Sequence, residues 1–106
     1  MSSVEYIQDN TFESLLEQET LVVVDFTATW CGPCKLVAPL MEQLATEYGD
    51  QINVVKVDLD KNQAMAKRFS IRSIPAVLFF KQGEVVETLV GVKPYAMFQA
   101  AVNKNL

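Results

Sequence analysis

The stretch LVVVDFTATWCGPC, Leu21 to Cys34, decides how this chain folds. Leu21 to Thr27 is an apolar run of strand length, rich in valine, as suits a central strand covered on both faces. A long helix is expected to follow, from near Cys31 to near Gly49, a residue well placed as its C-terminal stop. Val37, Leu40, Met41, Leu44, Ala45 and Tyr48 fall at helical spacing on one side, and Lys35, Glu42, Gln43, Thr46 and Glu47 take the other. Carried back three residues, the apolar stripe takes in Cys34. Pro39 removes one hydrogen bond in mid-helix and is expected to kink it.

The same alternation extends in both directions. Upstream, a short strand is expected at roughly Val4 to Ile7. Asn10 and Glu13 resemble a capping box for a first helix that buries Phe12, Leu15 and Leu16. Downstream, Ile52 to Asp58 is a second Val-rich strand. Asp60 can cap a third helix, with Gln63 three residues on and Met65, Ala66 and Phe69 facing inward. Ala76 to Lys81 and Glu84 to Val90 are strands joined by Gln82-Gly83, a two-residue hairpin connection, and Phe79 and Phe80 occupy alternate faces of a covered strand. Pro94 suits the first turn of a last helix with Tyr95, Phe98, Ala101 and Val102 on one side. Met41, Met65 and Met97 read as core filler. The order β-α-β-α-β-α-β-β-α is most simply buried as an α/β fold: parallel strands from the βαβ units, an antiparallel hairpin at one edge, and helices on both faces.

With 106 residues, residues 1–106 are expected to form one domain around one core. Half the chain is apolar and 21% is charged, an ordinary globular balance. A net charge of -4 with no run of Lys or Arg offers nothing to a phosphate backbone or an anionic lipid surface, so neither nucleic acid nor membrane is expected as a partner. MSSVEYIQDN lacks the basic and apolar regions of a signal peptide, and no apolar run approaches a membrane span. A cytoplasmic location is expected, or an organelle matrix or stroma if a transit peptide was removed.

There are two cysteines, Cys31 and Cys34, and no histidine. A structural disulfide closing so short a loop would stabilise weakly. Structural zinc needs about four ligands, so two thiolates could bind a metal only by sharing ligands between chains. A c-type haem requires histidine where Lys35 stands. No metal or separate cofactor is therefore expected. Thiol-disulfide exchange remains. With Cys31 at the helix N-cap, its exposed sulfur would face free backbone N–H groups and the positive end of the helix dipole, which favour a thiolate and make it the attacking nucleophile. Cys34, on the buried stripe, would attack the resulting mixed disulfide from within and resolve it. Pro33 has no N–H to add to the cap, which biases the pair toward a reductant. Gly32 tolerates the restriction that a proline places on its predecessor.

WCGPC with the preceding Val24-Asp25-Phe26, the SIP of Ser73 to Pro75 and the KQGE of Lys81 to Glu84 together resemble the thioredoxin family, over essentially the whole chain and in the family's order. The resemblance implies the thioredoxin fold, a three-layer α/β/α sandwich with a mixed sheet. It also implies a protein-disulfide reductase whose redox group is its own Cys31-Cys34 pair. The implied partners are disulfide-containing proteins and a thioredoxin reductase, flavin-linked or ferredoxin-linked, with the chain itself a monomer. It places Asp25 beneath the cysteines with Lys56 as its basic neighbour. Trp30, Ile74, Pro75 and Gly91 would line the substrate groove beside Gly32 and Pro33. Family members carry a cis proline where Pro75 stands, whereas the sequence alone predicts trans, since only about 5% of X-Pro bonds in folded proteins are cis. Thr27, Ser73 and Ala76 depart from common versions of the pattern and bear on partner choice.

Asp25 has two readings. Burial raises a carboxyl's pKa toward neutrality, where it could take the proton from Cys34 as a general base. Equally, it could be a structural carboxylate held by a hydrogen bond or by Lys56. Two other functions use the same frame. One is a binding module that docks partners on the apolar patch around Trp30 and Pro75; the other is a disulfide oxidase or isomerase, which usually carries His where this chain has Pro33.

Overall fold

A computed structural model describes residues 4–18 and 20–106. Among these residues, five strands and four helices follow the expected order: β1 (Glu5–Tyr6), α1 (Asp9–Leu16), β2 (Leu21–Thr27), α2 (Cys34–Tyr48), β3 (Ile52–Asp58), α3 (Gln63–Arg68), β4 (Ala76–Lys81), β5 (Glu84–Val90) and α4 (Tyr95–Asn105), with a 3-10 turn at Gly49–Gln51. The sheet order is β1-β3-β2-β4-β5. β1 and β2 run parallel to β3, while β4 lies antiparallel to both β2 and β5. This is the expected mixed sheet, with β2 at its centre.

Strand alternation divides the core in two. Leu21 and Val23 meet Val37, Met41 and Leu44 of α2 and Phe98 and Val102 of α4. Val22, Val24 and Phe26 meet Phe12 and Leu16 of α1 and Met65 of α3 on the opposite face. Phe79 and Phe80 fall into different layers, as their alternation requires. The hairpin turns at Gln82 and Gly83, with φ of 52° and 83°, the left-handed pair that matches strand twist. Met97 is 43% exposed on α4, so unlike Met41 and Met65 it is not core filler.

Helix starts depart from the sequence reading. At α1 the cap is two residues earlier, at Gln8: the Gln8 N–H donates to Thr11 Oγ1 at 3.3 Å, and Asn10 already lies inside the helix. At α3 the cap position is Asn62 rather than Asp60. The Asn62 side chain is spent elsewhere: its amide oxygen accepts the distant Asp9 N–H at 3.1 Å and its amide N–H donates to the Asp58 carbonyl, four residues earlier, at 2.9 Å. At α2 regular helix begins at Cys34 instead of Cys31. Pro33 has no N–H to give, and Lys35 and Leu36 bond back to Gly32 and Pro33 carbonyls three residues away, at 3.0 Å each. The entry is thus a tight turn that opens into α-helix. Pro39 sits on the exposed side, and the helix continues through it.

Phe80 is 1% exposed and meets Phe12 and Phe69 edge-on, with ring centroids 5.5 and 5.2 Å away. Phe80→Ala removes a fully packed ring and is expected to destabilise by about 3–5 kcal/mol. Urea unfolding measures this; a loss below about 1 kcal/mol would mean that the layer repacks freely.

Candidate active site

The chain turns from the C-terminal end of the central strand β2 into α2, and that turn carries the cysteines. Cys31 and Cys34 are disulfide-bonded, with Cα atoms 5.3 Å apart. Although Cys31 precedes the regular helix, its sulfur does receive a helix-start donor: the Cys34 N–H reaches Cys31 Sγ at 3.2 Å. An N–H aimed at that atom stabilises negative charge on it. The expected exposure of Cys31 is not seen. It is 4% exposed and Cys34 1%, and both pack with Ala28 under Ile74. The asymmetry lies in direction and donors rather than in gross burial, because Cys34 belongs to the inward stripe that continues through Val37 and Met41.

The remaining residues implied by the resemblance gather around this turn. Trp30 is 70% exposed, and its indole N–H donates to Asp60 Oδ2 at 2.9 Å. Gly32 and Pro33 are exposed, Ile74 is half-buried and Pro75 is buried. The Ile74–Pro75 bond is cis, correcting the trans expectation from sequence alone. Gly91 donates its N–H to the Pro75 carbonyl at 2.8 Å, tying the end of β5 to the segment before β4. Its φ of 89° lies in the left-handed region, and a side chain there would have open space, so backbone conformation calls for glycine rather than crowding.

Asp25 is buried, and its Oδ1 has no hydrogen-bond partner among the described residues. Burial pushes its pKa up from 3.8 to about 7, against the pull of the Lys56 charge. Lys56 is its register partner on β3. Among the described residues, however, no ion pair joins them. The Lys56 ammonium instead lies over the Tyr6 ring, 4.4 Å from its centroid. Sequence reasoning missed two contributors, Asp60 and Tyr6. Asp60 was legible only as a cap, and Tyr6 only as a residue in a short edge strand.

A disulfide-bonded C-x-x-C pair at a helix start, on an α/β/α sandwich with a buried carboxyl in the central strand, defines a thiol-disulfide oxidoreductase. The sequence pattern of the family called Thioredoxin matches residues 3–104. Thioredoxin of Bacillus subtilis (strain 168) is 51% identical over 83% of this chain and 85% of its own length. Thioredoxin 1 of Synechococcus elongatus is 43% identical, covering both chains in full. The crystal structure of Malassezia sympodialis thioredoxin superposes with a TM-score of 0.89 at 38% identity, covering 98% of this chain and 91% of that one. The chain belongs to the thioredoxin family. It is a protein-disulfide oxidoreductase that works by dithiol-disulfide exchange, using its own cysteine pair and needing no separate cofactor. Its partners are, in general, disulfide-containing targets and a reductase.

The raised pKa of Asp25 links to stability with a definite sign. Folding tightens proton binding here, so its contribution is most favourable below about pH 4 and is lost as pH climbs from the unfolded value of 3.8 through about 7. Asp25→Asn is therefore expected to be more stable than the parent at pH 8, by about 4 kcal/mol, with the gap closing near pH 4. Urea unfolding of the oxidised proteins at both pH values measures it. An equal gap at the two would show that ionisation of Asp25 is not its source.

Proposed function

We propose that Cys31 and Cys34 divide the exchange between them, with Asp25 as the general base for the second step. The observation that carries this is the Cys34 N–H directed at Cys31 Sγ, which equips one sulfur of the pair to hold negative charge. The Cys31 thiolate attacks one sulfur of the target disulfide; a mixed disulfide forms and the target's other sulfur leaves as a thiolate. Asp25, buried and short of a partner, takes the Cys34 proton directly or through a water. The Cys34 thiolate then attacks Cys31 Sγ, the Cys31-Cys34 disulfide forms, and the target's second thiolate departs. Two electrons have passed to the target, and the reductase returns two to close the cycle.

Trp30, Gly32, Pro33, Ile74, Pro75 and Gly91 receive the target. Trp30, Gly32 and Pro33 flank or lie within the cysteine turn, Ile74 packs on the cysteines, the exposed Trp30 offers apolar area, and the Gly91 to Pro75 hydrogen bond ties Gly91 to the residue after Ile74. Lys56 modulates Asp25. The chain acts as a single-domain monomer over residues 1–106. A cytoplasmic site, or an organelle matrix or stroma, suits it, since the relatives include bacterial thioredoxins and the M-type chloroplastic thioredoxin of Spinacia oleracea, 43% identical over the whole of this chain and 59% of that one. Either a flavin-linked or a ferredoxin-linked reductase can serve it, and recycling assays with each identify the donor.

Cys34→Ser is expected to accumulate a covalent adduct with an insulin-type disulfide substrate, and Cys31→Ser to form none; both lose turnover. Non-reducing electrophoresis reads the adduct. Adducts through Cys34 in Cys31→Ser would reverse the roles. For the base, Asp25→Asn is expected to slow mixed-disulfide resolution by on the order of 10²-fold near neutral pH, measured by stopped flow across a pH series. An unchanged rate and profile would leave Asp25 without that role.

A further inference from the structure

One row of side chains crosses the sheet in register: Tyr6 on β1, Lys56 on β3, Asp25 on β2, Val77 on β4 and Leu89 on β5. Partners in register share a face, so Tyr6 and Asp25 stand on either side of Lys56. The ammonium has two electron-rich neighbours to choose between, a carboxyl and an aromatic face. It takes the ring, at 4.4 Å, within the range of cation-π attraction. The carboxyl is left with an oxygen that has no partner, and no ion pair among the described residues reaches it.

We propose that Tyr6 is a positioning residue for the exchange reaction: by holding the Lys56 ammonium over its ring, it keeps that cation from pairing with Asp25 and leaves the buried carboxyl free to gain and lose a proton. The proposal rests on the reading of Asp25 as the base. A carboxylate locked in an ion pair is a weak base, because its charge is already stabilised. A carboxylate with no charge nearby would be harder to ionise. Tyr6 sets the compromise, with a cation near enough to be felt and too far to bond.

The surroundings of Asp25 leave Lys56 as the group to move. On β3, Asp58 follows Lys56 on the same face, and at the start of α2 stands Cys34, which titrates only when reduced. From β4 the register partner is the apolar Val77, and α4 covers this face through Phe98, Ala101 and Val102. Tyr6 itself is 55% exposed in an edge strand, so its replacement disturbs little packing. The cation lies where a change at a surface ring reaches the buried site.

The test compares Tyr6→Leu, which keeps apolar bulk without a π face, with Tyr6→Phe, which keeps the face, each alone and with Lys56→Met. Asp25 is titrated directly by carboxyl NMR in the reduced protein, and mixed-disulfide resolution is followed against pH. In Tyr6→Leu the freed ammonium moves onto Asp25, and the titration midpoint is expected to fall by about one pH unit. Tyr6→Phe is expected to titrate like the parent, and Tyr6→Leu to have no effect once Lys56 is Met. An unmoved midpoint in Tyr6→Leu, or an equal fall with Lys56→Met in place, overturns the proposal. Should the midpoint fall while the resolution profile stays put, Tyr6 keeps its role on the carboxyl and the base assignment to Asp25 fails instead.

Discussion

A strand buried on both faces has to lie in the interior of a sheet, and β2 obeys that constraint more completely than any other segment of the chain. Six of its seven residues are buried, including Asp25. Covering two faces requires two layers, and the chain supplies them as α2 with α4 on one side and α1 with α3 on the other. Because α2 follows β2 directly and runs back across it, its first turn must lie at the strand's C-terminal end. The cysteine pair therefore sits at the rim of the sheet, while Asp25 stands two residues before the end of β2, on the face that α2 and α4 cover.

Within that frame the two sulfurs differ by what points at them. Both are nearly inaccessible in the disulfide form, so a contrast of exposed against buried does not separate their roles. One receives the N–H of the other's residue, and the other begins an apolar stripe that runs into the core. The proline between them sharpens this by withholding a second donor and tightening the turn. A charge on Cys31 is thus helped, among the described residues, by one backbone N–H.

The strands were legible almost residue by residue. β2, β3, β4 and β5 occupy the expected spans: burial marks the first three, and the two-residue Gln-Gly connection places the exposed edge strand β5 after β4, with one register shift at Phe79/Phe80. Helix starts were harder to read. Capping depends on which polar side chain the turn geometry brings round, and Asp60, a good cap by type, is drawn off to Trp30. The cis bond before Pro75 was likewise hidden, because the intrinsic preference between isomers is small and tertiary context outweighs it. Among the candidate site residues, Cys31, Cys34 and Asp25 stood out in the sequence by residue type against environment, and their roles are the ones proposed above. Tyr6 did not: its contact with Lys56 joins positions 50 residues apart, and a strand of two residues carries no periodic signal.

A carboxyl with an unsatisfied oxygen is an expense in any core, and the chain had a simple remedy in the lysine beside it. Pairing the two would have recovered stability at neutral pH, since a partnered carboxylate no longer bears the full desolvation penalty. It would also have fixed the carboxylate in one protonation state across the range where thiols exchange protons. The structure keeps the lysine in register but turns its charge to an aromatic face at the sheet edge, so stability at neutral pH is conceded and the carboxyl keeps both protonation states within reach, as the proposed role of Asp25 in proton transfer requires. That concession is affordable because the rest of β2 is apolar and packed on both sides, and a single costly residue in so well-buried a strand does not threaten the fold.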